Sequence, residues 1–387
     1  MYRSALFTLS ILFFMMGFIT CLNDILVPFL KEIFKLSYGE AALVQLSFFG
    51  AYGLTSIPIS RVIEKTGYQI GMISGLCITS FGCLLFYPAV SFHKFPLFLM
   101  ALFVLASGIV FLQVAANSFV SILGPKESAS SRLAMVQAFN SFGTFIAPFF
   151  GSIFILSKLK SDSGIDGIKA PYIGIAVALI LLMLFLSQLK FPQISQDTQE
   201  RKKTKDLLKE SHLIWGIIGI FAYVGAEVAI GSFLVNYVME FLQMPKTEAA
   251  NYVAIYWGGA MAGRFLGIFT LKEFNPARVL NIHALLAISL ILISINSHGM
   301  MAIYSIVLVG FCNSIMFPTI FTLSLNGLNS SAHKASGLLA TSILGGAIIP
   351  FIVGQMADHV GLRMAFTVPV FCYIFIAYFG NKMAKSL

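Results

Sequence analysis

The chain has 387 residues, of which 58% are hydrophobic and 11% are charged, and its formal net charge is +9. A soluble domain has about a quarter of its residues charged, so this balance indicates that lipid surrounds much of the chain. The basic residues lie in short loops between apolar segments. That placement favours membrane topology and anionic lipid, rather than nucleic-acid binding, as the reason for the positive charge.

Uncharged apolar runs recur along the chain, and each is long enough to cross a bilayer as a helix. Ile70–Phe92 and Phe95–Pro125 contain no Asp, Glu, Lys, Arg or His, and a membrane helix needs about 20 apolar residues. The first run, Ala5–Leu30, is too long for the apolar core of a signal peptide, so we interpret it as the first span. The twelve predicted spans are 5–30, 41–63, 69–92, 96–123, 132–157, 170–190, 212–239, 249–271, 277–297, 299–326, 335–357 and 363–382.

One long polar connector, Phe191–Ser211, divides these spans into two sets of six. We therefore predict an N-terminal six-helix half at 1–190, a basic cytoplasmic linker at 191–211 and a C-terminal six-helix half at 212–387. With the N-terminus inside, sixteen Lys and Arg residues fall on the cytoplasmic side and eight on the outer side. Because cytoplasmic loops are enriched in Lys and Arg, both termini are predicted to be cytoplasmic.

The two sets of spans contain similar residues at a nearly constant separation. The matched pairs are Asp24 and Glu227, Arg61 and Arg264, and Pro148 and Pro350, with separations of 203, 203 and 202 residues. Both prolines stand in a Gly-x4-Pro-Phe pattern. The repeat predicts an all-α membrane protein built from two pseudo-symmetric six-helix halves. Two such halves, with a site at the midplane between them, form the architecture of rocker-type transporters.

Two acidic residues lie inside predicted spans, where a charge costs several kcal/mol (about 3 on insertion scales) and is rarely kept without a use. A buried carboxyl can bind and release a proton as its exposure to water changes. We therefore predict that Asp24 and Glu227 couple transport to protons. For Asp24 the alternative is a structural hydrogen-bond or ion-pair partner. For Glu227, sugar binding and a structural role both remain open.

Neutral polar residues lie at helical spacing in the fourth and fifth spans. Gln113 and Asn117 are four residues apart, while Gln137, Asn140 and Thr144 share a second helix face. Amides donate and accept hydrogen bonds without a charge, which suits a ligand covered in hydroxyl groups. The alternative is hydrogen bonding between helices, which contributes about 0.6 kcal/mol per pair in membranes.

The second half contains candidates for the opposite wall of a sugar site and for gating. Aromatic rings stack on the apolar faces of sugars, although an aromatic residue in a span more often serves packing. Two arginines are predicted to lie at cytoplasmic span ends, where they can snorkel and bridge helices as a gate. The wall candidates are Asn236, Tyr256, Trp257, Asn313 and Phe317, and the gating candidates are Arg61 and Arg264.

The sequence has no P-loop, no metal-ligand spacing and no nucleophile elbow. We therefore expect no catalytic residues, no metal, no cofactor and no ATP-driven step, and we predict that the chain is not an enzyme. One rival prediction is a proton antiporter that exports a drug, siderophore or metabolite, although its cavity would be mostly apolar. A second rival is a sugar sensor without transport, but the longest connector is too short for the added soluble domain that such proteins usually carry.

Six stretches resemble the fucose–galactose–glucose symporter branch of the major facilitator superfamily, and the resemblance covers nearly the whole chain. They are Gly17-Phe18-Ile19-Thr20-Cys21-Leu22-Asn23-Asp24, Phe111-Leu112-Gln113-Val114-Ala115-Ala116-Asn117, Gln137-Ala138-Phe139-Asn140-Ser141-Phe142-Gly143, Gly225-Ala226-Glu227, Tyr256-Trp257-Gly258-Gly259-Ala260-Met261 with Gly263-Arg264, and Asn313-Ser314-Ile315-Met316-Phe317-Pro318-Thr319.

The resemblance implies the major facilitator fold and proton-coupled sugar import by alternating access, at the bacterial inner membrane. It implies that Asp24 carries the proton and that Gln137 and Asn140 contact sugar, with Asn23 also assigned to the sugar. The fucose transporters of the branch have an acid where Gln113 stands, and the glucose and galactose members resemble this chain in having Gln. That difference favours glucose or galactose over fucose. Some animal relatives use sodium, so a sodium-coupled symporter remains an alternative. A monomer suffices, because two six-span halves already form a complete pathway.

Overall fold

The computed structural model describes residues 2–34, 38–156, 168–189 and 204–386, almost entirely as helix. The first six helices are α1 (Tyr2–Ile33), α2 (Tyr38–Thr66), α3 (Tyr68–Phe92), α4 (Phe95–Ile122), α5 (Ala129–Phe150) and α6 (Lys169–Gln188). The longer helices that follow are α7 (Ser211–Leu242), α8 (Lys246–Glu273), α9 (Pro276–Asn296), α10 (Gly299–Asn313), α11 (Met316–Ser324), α12 (Ala332–Thr341), α13 (Gly345–Val360) and α14 (Thr367–Ser386). Single turns of helix lie at Thr204–Leu207 and Leu362–Ala365.

These helices make twelve membrane spans. In the part of the chain that the structure describes, eleven helical stretches are long and apolar enough to cross a bilayer. Helix α8 is the twelfth and contains 28 residues. The predicted all-α membrane fold of twelve helices is confirmed. Large apolar side chains on the outer surface agree with contact to lipid, since Phe7, Leu54, Phe269 and Phe371 are 67%, 71%, 69% and 71% exposed.

Three spans differ from the continuous helices that the sequence predicts. The predicted span 299–326 is divided into α10 and α11, and 335–357 is divided into α12 and α13 by a 3₁₀ turn at Ser342–Leu344. The predicted span 132–157 ends in a π-helical segment, Gly151–Leu156. Proline accounts for the first break, because Pro318 has no amide hydrogen to continue the helical ladder.

Glycines let neighbouring helices approach until their backbones touch. A Cβ added at Gly17 would lie 2.0 Å from the carbonyl oxygen of Asn140, and one at Gly143 would lie 2.1 Å from a carbonyl oxygen of α1. The second half repeats this contact, since a Cβ at Gly345 would lie 2.2 Å from the carbonyl oxygen of Phe221 on α7. The paired contacts bring the first span against the fifth, and the seventh against the eleventh.

The chain forms two compact units, which differ in part from the predicted halves at 1–190 and 212–387. One unit contains Met1–Leu123, Phe139–Asp197 and Ala332–Thr341, and the other contains Gly124–Ala138, Thr198–Ser331 and Ser342–Leu387. The first unit therefore takes in the whole of α12 from the second half of the sequence. The second unit takes in the beginning of α5 from the first half.

Polar contacts hold both of these segments in place. In the first unit, Lys334 Nζ lies 2.8 Å from Glu64 Oε1, and the Ser336 hydroxyl donates to the carbonyl oxygen of Val114 at 3.1 Å. In the second unit, the Ser131 hydroxyl donates to the carbonyl oxygen of Ile268 at 2.6 Å. An ion pair therefore holds α12, and a serine hydroxyl contributes to holding the start of α5.

Candidate functional site

The second unit contains a buried ion pair between neighbouring spans. Arg264 Nη2 on α8 lies 3.6 Å from Glu227 Oε1 on α7, and the two side chains are 12% and 11% exposed. Arg264 stands nine residues before the end of α8 at Glu273. The prediction that Arg264 snorkels from a span end is therefore wrong, while its assignment to the cytoplasmic side stays a prediction. Its side chain turns inward because a buried carboxylate is available to pair with it. Its role in gating stays a prediction.

A chain of hydrogen bonds surrounds this pair. The Tyr256 hydroxyl donates to the main-chain carbonyl of Glu227 at 3.2 Å, and Asn313 Nδ2 donates to the same hydroxyl at 2.8 Å. The Tyr373 hydroxyl in turn donates to Asn313 Oδ1 at 2.6 Å. All three polar side chains are fully buried. These hydrogen bonds link α7, α8, α10 and α14 into one wall. They already use the polar atoms of the Tyr256 and Asn313 side chains.

The first unit has a similar tyrosine–amide pair. Gln113 Nε2 on α4 donates to the hydroxyl of Tyr52 on α2 at 3.1 Å, as Asn313 donates to Tyr256. The tyrosines are 204 residues apart (256 − 52), close to the repeat separation, whereas the amides are 200 apart (313 − 113), about one helical turn short of it. Gln113 Oε1 is buried without a hydrogen-bond partner among the described residues.

Helix α5 presents its predicted polar face. Gln137 and Asn140 are both half-buried, and Asn140 Nδ2 donates to the carbonyl of Phe13 on α1 at 3.0 Å. The Thr144 hydroxyl, one turn further on, donates to the carbonyl of Asn140 at 3.2 Å. Asn117 differs from these residues because it is only 2% exposed. Asn140 therefore ties this amide face to α1. The side chains of Gln137 and Asn140 are nevertheless partly exposed.

The other predicted site residues lie in different surroundings. Phe317 on α11 is 9% exposed and stacks on Phe321 with ring centroids 5.8 Å apart. Trp257 is half-buried on α8, whereas Asn236 on α7 is exposed. Arg61 is exposed, five residues before the end of α2. The side chains of Asn23 and Asp24 lie outside the described residues, although both residues belong to α1.

Sequence reasoning missed two tyrosines of the site, Tyr52 and Tyr373. The spacing of 204 residues between Tyr52 and Tyr256 could have indicated the first. Tyr373 carries no such signal, because an aromatic residue in an apolar span resembles ordinary packing. Among the described residues, no group of three or more His, Cys, Asp or Glu side chains could hold a metal ion.

The sequence matches a known protein family over most of its length. The model of the Major Facilitator Superfamily matches residues 8–343. The chain belongs to the major facilitator superfamily. Among curated members, it is 45% identical over 392 residues to a glucose/galactose transporter of Brucella abortus biovar 1, with 100% of this chain and 95% of that protein covered. It is 33% identical over 402 residues to the L-fucose-proton symporter of Escherichia coli K12, with 97% and 92% covered.

Solved structures of major facilitator transporters have the same arrangement of helices. One of them is the crystal structure of FucP, the fucose:proton symporter of E. coli, in the outward conformation. It superposes on this chain with a TM-score of 0.91 at 32% identity, and the superposition covers 99% of both chains. These relatives are transporters, and the chain is a sugar transporter of the superfamily rather than an enzyme.

Proposed function

We propose that this transporter imports a hexose by proton symport with alternating access, and that glucose or galactose is preferred to fucose. The structural observation that carries the proposal is Gln113, a neutral amide held by Tyr52. Its buried acceptor oxygen has no hydrogen-bond partner among the described residues, and we assign it to a sugar hydroxyl. Full-length similarity to proteins named glucose/galactose transporters supports the same substrates. The relative named L-fucose-proton symporter supports the choice of ion.

In this proposal the sugar meets amides and aromatic rings. Amide groups bind the hydroxyls, and rings cover the apolar faces of the sugar. Buried members of the set, such as Tyr256 and Asn313, hold the wall in position. The proposed sugar-binding residues are Asn23, Gln113, Asn117, Gln137, Asn140, Asn236, Tyr256, Trp257, Asn313 and Phe317.

Asp24 is the proposed carrier of the coupled proton. The assignment follows the resemblance of the segment that contains Asp24, and the relative named L-fucose-proton symporter supports proton coupling. Arg264 Nη2 lies 3.6 Å from the carboxylate of Glu227. Glu227 is the second carboxyl of the coupling network, with its charge balanced by Arg264.

The proposed setting is the bacterial inner membrane, with both termini cytoplasmic and the monomer as the working unit. The excess of Lys and Arg in the loops assigned to the cytoplasm supports this orientation. The sodium-coupled symporter and the proton antiporter are the rival functions.

The test is uptake of labelled glucose, galactose and fucose into proteoliposomes, with and without an inward proton gradient. We expect the gradient to drive accumulation of glucose or galactose. Asp24→Asn should abolish accumulation but keep exchange of sugar across the membrane, because the neutral side chain mimics the protonated form. Asp358→Asn is the matched control, since Asp358 is an exposed carboxylate near the end of α13.

Parallel assays with a sodium gradient separate the two ions. Accumulation driven by the sodium gradient alone would show that sodium, and not the proton, is the coupled ion. Absence of hexose transport under both gradients would refute the sugar assignment and favour the antiporter. Proton-driven export of a compound from preloaded vesicles is the assay for that rival.

A further inference from the structure

The tenth span is interrupted next to two candidate sugar-binding residues. Helix α10 ends at Asn313, and α11 begins at Met316 and carries Phe317. In an uninterrupted helix the amide hydrogen of residue 318 would bond to the carbonyl oxygen of Ser314. Pro318 has no such hydrogen, so this carbonyl loses its helical partner. A buried carbonyl of this kind requires another donor.

Arg264 is that donor. Its Nε lies 3.3 Å from the carbonyl oxygen of Ser314, while its Nη2 faces Glu227. One guanidinium therefore connects α7, α8 and the break. The break exposes a second carbonyl, that of Cys312, which lies 3.0 Å from Nδ1 of His283 on α9.

Close packing brings the guanidinium to the break. Gly259, Gly263 and Gly267 repeat every fourth residue of α8 and face the end of α10. A Cβ added at Gly263 would lie 2.4 Å from the Ser314 hydroxyl oxygen, and one at Gly267 would lie 2.5 Å from a side-chain carbon of the next residue along, Ile315. Small residues at this spacing allow two membrane helices to pack backbone to backbone.

The first half of the chain provides a comparison without the break. At the repeat separation of 203 residues, Ala115 stands where Pro318 stands and Arg61 where Arg264 stands. Helix α4 runs without interruption from Phe95 to Ile122, so no carbonyl is freed there. Arg61 is exposed at this position. The arginine turns inward only in the half where proline has freed a carbonyl.

We propose that Arg264 is a positioning residue for sugar binding: by holding the Pro318 break against Glu227, it fixes Asn313 within the wall and Phe317 where the sugar meets it. The inference rests on the proposed function, because the ligand is taken to be a hexose. Arg264 itself does not touch the sugar. Its effect passes through the Ser314 carbonyl.

A double-mutant cycle of Arg264→Met and Pro318→Ala tests this route, with KM and maximal rate of labelled galactose exchange measured without an ion gradient. Methionine has similar length but no hydrogen-bond donor. Arg264→Met therefore leaves the Ser314 carbonyl and Glu227 without this partner, and we expect KM to rise about ten-fold with a smaller change in maximal rate. The alanine in the Pro318→Ala variant supplies the missing amide hydrogen. In that background, Arg264→Met should raise KM by about three-fold or less. An equal factor in both backgrounds would overturn the proposal, as would a lower maximal rate at constant KM.

A glycine pair provides a test that keeps the guanidinium. Gly263→Ala should push α8 away from the break and reproduce the rise in KM. Gly258→Ala is its control, because a Cβ at Gly258 meets nothing within 4 Å. Equal KM values for the two variants would contradict the proposal.

The two proposals fail in different ways. A wild-type protein that exchanges no hexose refutes the proposed function alone. Thermal unfolding in detergent can then be measured for the wild type, the Arg264 variant, the Pro318 variant and the double variant. Their midpoints still show whether Arg264 and Pro318 act together. Additive midpoints would refute the connection through the Ser314 carbonyl.

Discussion

Gln113 combines a fixed donor with an acceptor that no described residue uses. Tyr52 holds the amide through Nε2 at 3.1 Å, so the orientation of Oε1 is set before a ligand arrives. Such pre-organisation reduces the entropy lost on binding. The residue is uncharged, so it can hydrogen-bond a sugar without adding a charge inside the membrane.

Replacing Gln113 by leucine removes both hydrogen bonds at similar volume. We expect KM for galactose exchange to rise about ten-fold, because a buried sugar hydroxyl then lacks its partner. Tyr52→Phe leaves the amide in place and only loosens its orientation, so its rise in KM should be smaller. The concentration dependence of exchange gives both values. A Gln113→Leu protein with wild-type KM would exclude this amide from the sugar site.

The sequence identifies several of these residues but not their contacts. The repeat singles out Glu227 and Arg264, because an acid and an arginine recur 203 residues after Asp24 and Arg61. Their ion pair could not be predicted, since an arginine near a span end normally snorkels to the interface. Its inward turn depends on the carbonyl freed by Pro318 and on close packing at Gly263, both of which involve a helix distant in sequence.

At the scale of helices, Arg363 caps the C-terminus of α9. Its Nε donates to the carbonyl of Ile295, and its Nη2 donates to that of Ser297 at 2.9 Å. The guanidinium also lies over the ring of Phe241, 5.5 Å from the ring centroid. The last carbonyls of a helix have no partners within it, so this side chain completes α9 and ties it to α7.

Arg363→Ala should lower the free energy of unfolding by roughly 1–3 kcal/mol, because two carbonyls lose charged donors. Arg363→Lys should recover only part of this loss, since an ammonium group cannot form the planar two-carbonyl contact. Arg278→Ala, at an exposed arginine on the same helix α9, is the control. The measurement is thermal unfolding in detergent. Equal midpoints for the Arg363→Ala and Arg278→Ala proteins would show that the cap adds no stability.

The sequence predicts the existence of the helices better than their interruptions. Apolar length locates twelve spans, because the bilayer thickness sets a minimum that loops do not reach. Pro318 could have indicated the break between α10 and α11. Pro148, by contrast, lies within α5, which continues to Phe150. Whether a proline interrupts a span depends on which neighbour accepts the freed carbonyl, and sequence spacing does not reveal that neighbour.

At the scale of the whole molecule, the ion pair between Glu64 and Lys334 connects α2 to a helix from the other half of the sequence. Their side chains are only 20% and 15% exposed. His333 Nε2 also lies 3.7 Å from the same carboxylate oxygen. No sequence pattern predicted this exchange of segments between units, because it depends on contacts between residues hundreds of positions apart.

Reversing one charge should destabilise the protein, and reversing both should restore it. Glu64→Lys places two cations together, and we expect a loss of roughly 1–3 kcal/mol in the free energy of unfolding. Adding Lys334→Glu re-forms the pair with opposite polarity. Thermal unfolding of the two single variants and the double variant provides the comparison. If the double variant loses as much stability as the two single variants together, the pair does not hold α12.

The position of Lys334 has a consequence for biosynthesis. The ribosome makes Lys334 270 residues after Glu64 (334 − 64), which at 5–20 residues per second is an interval of roughly 15 to 50 s. Partway through this interval, once residue 188 is made, the first six spans are complete, but the carboxylate of Glu64 still has no Lys334 beside it. The first unit is therefore completed only when α12, part of the eleventh span, has been translated. The N-terminal half does not mature as an independent module, and its final packing depends on a late part of the same polypeptide.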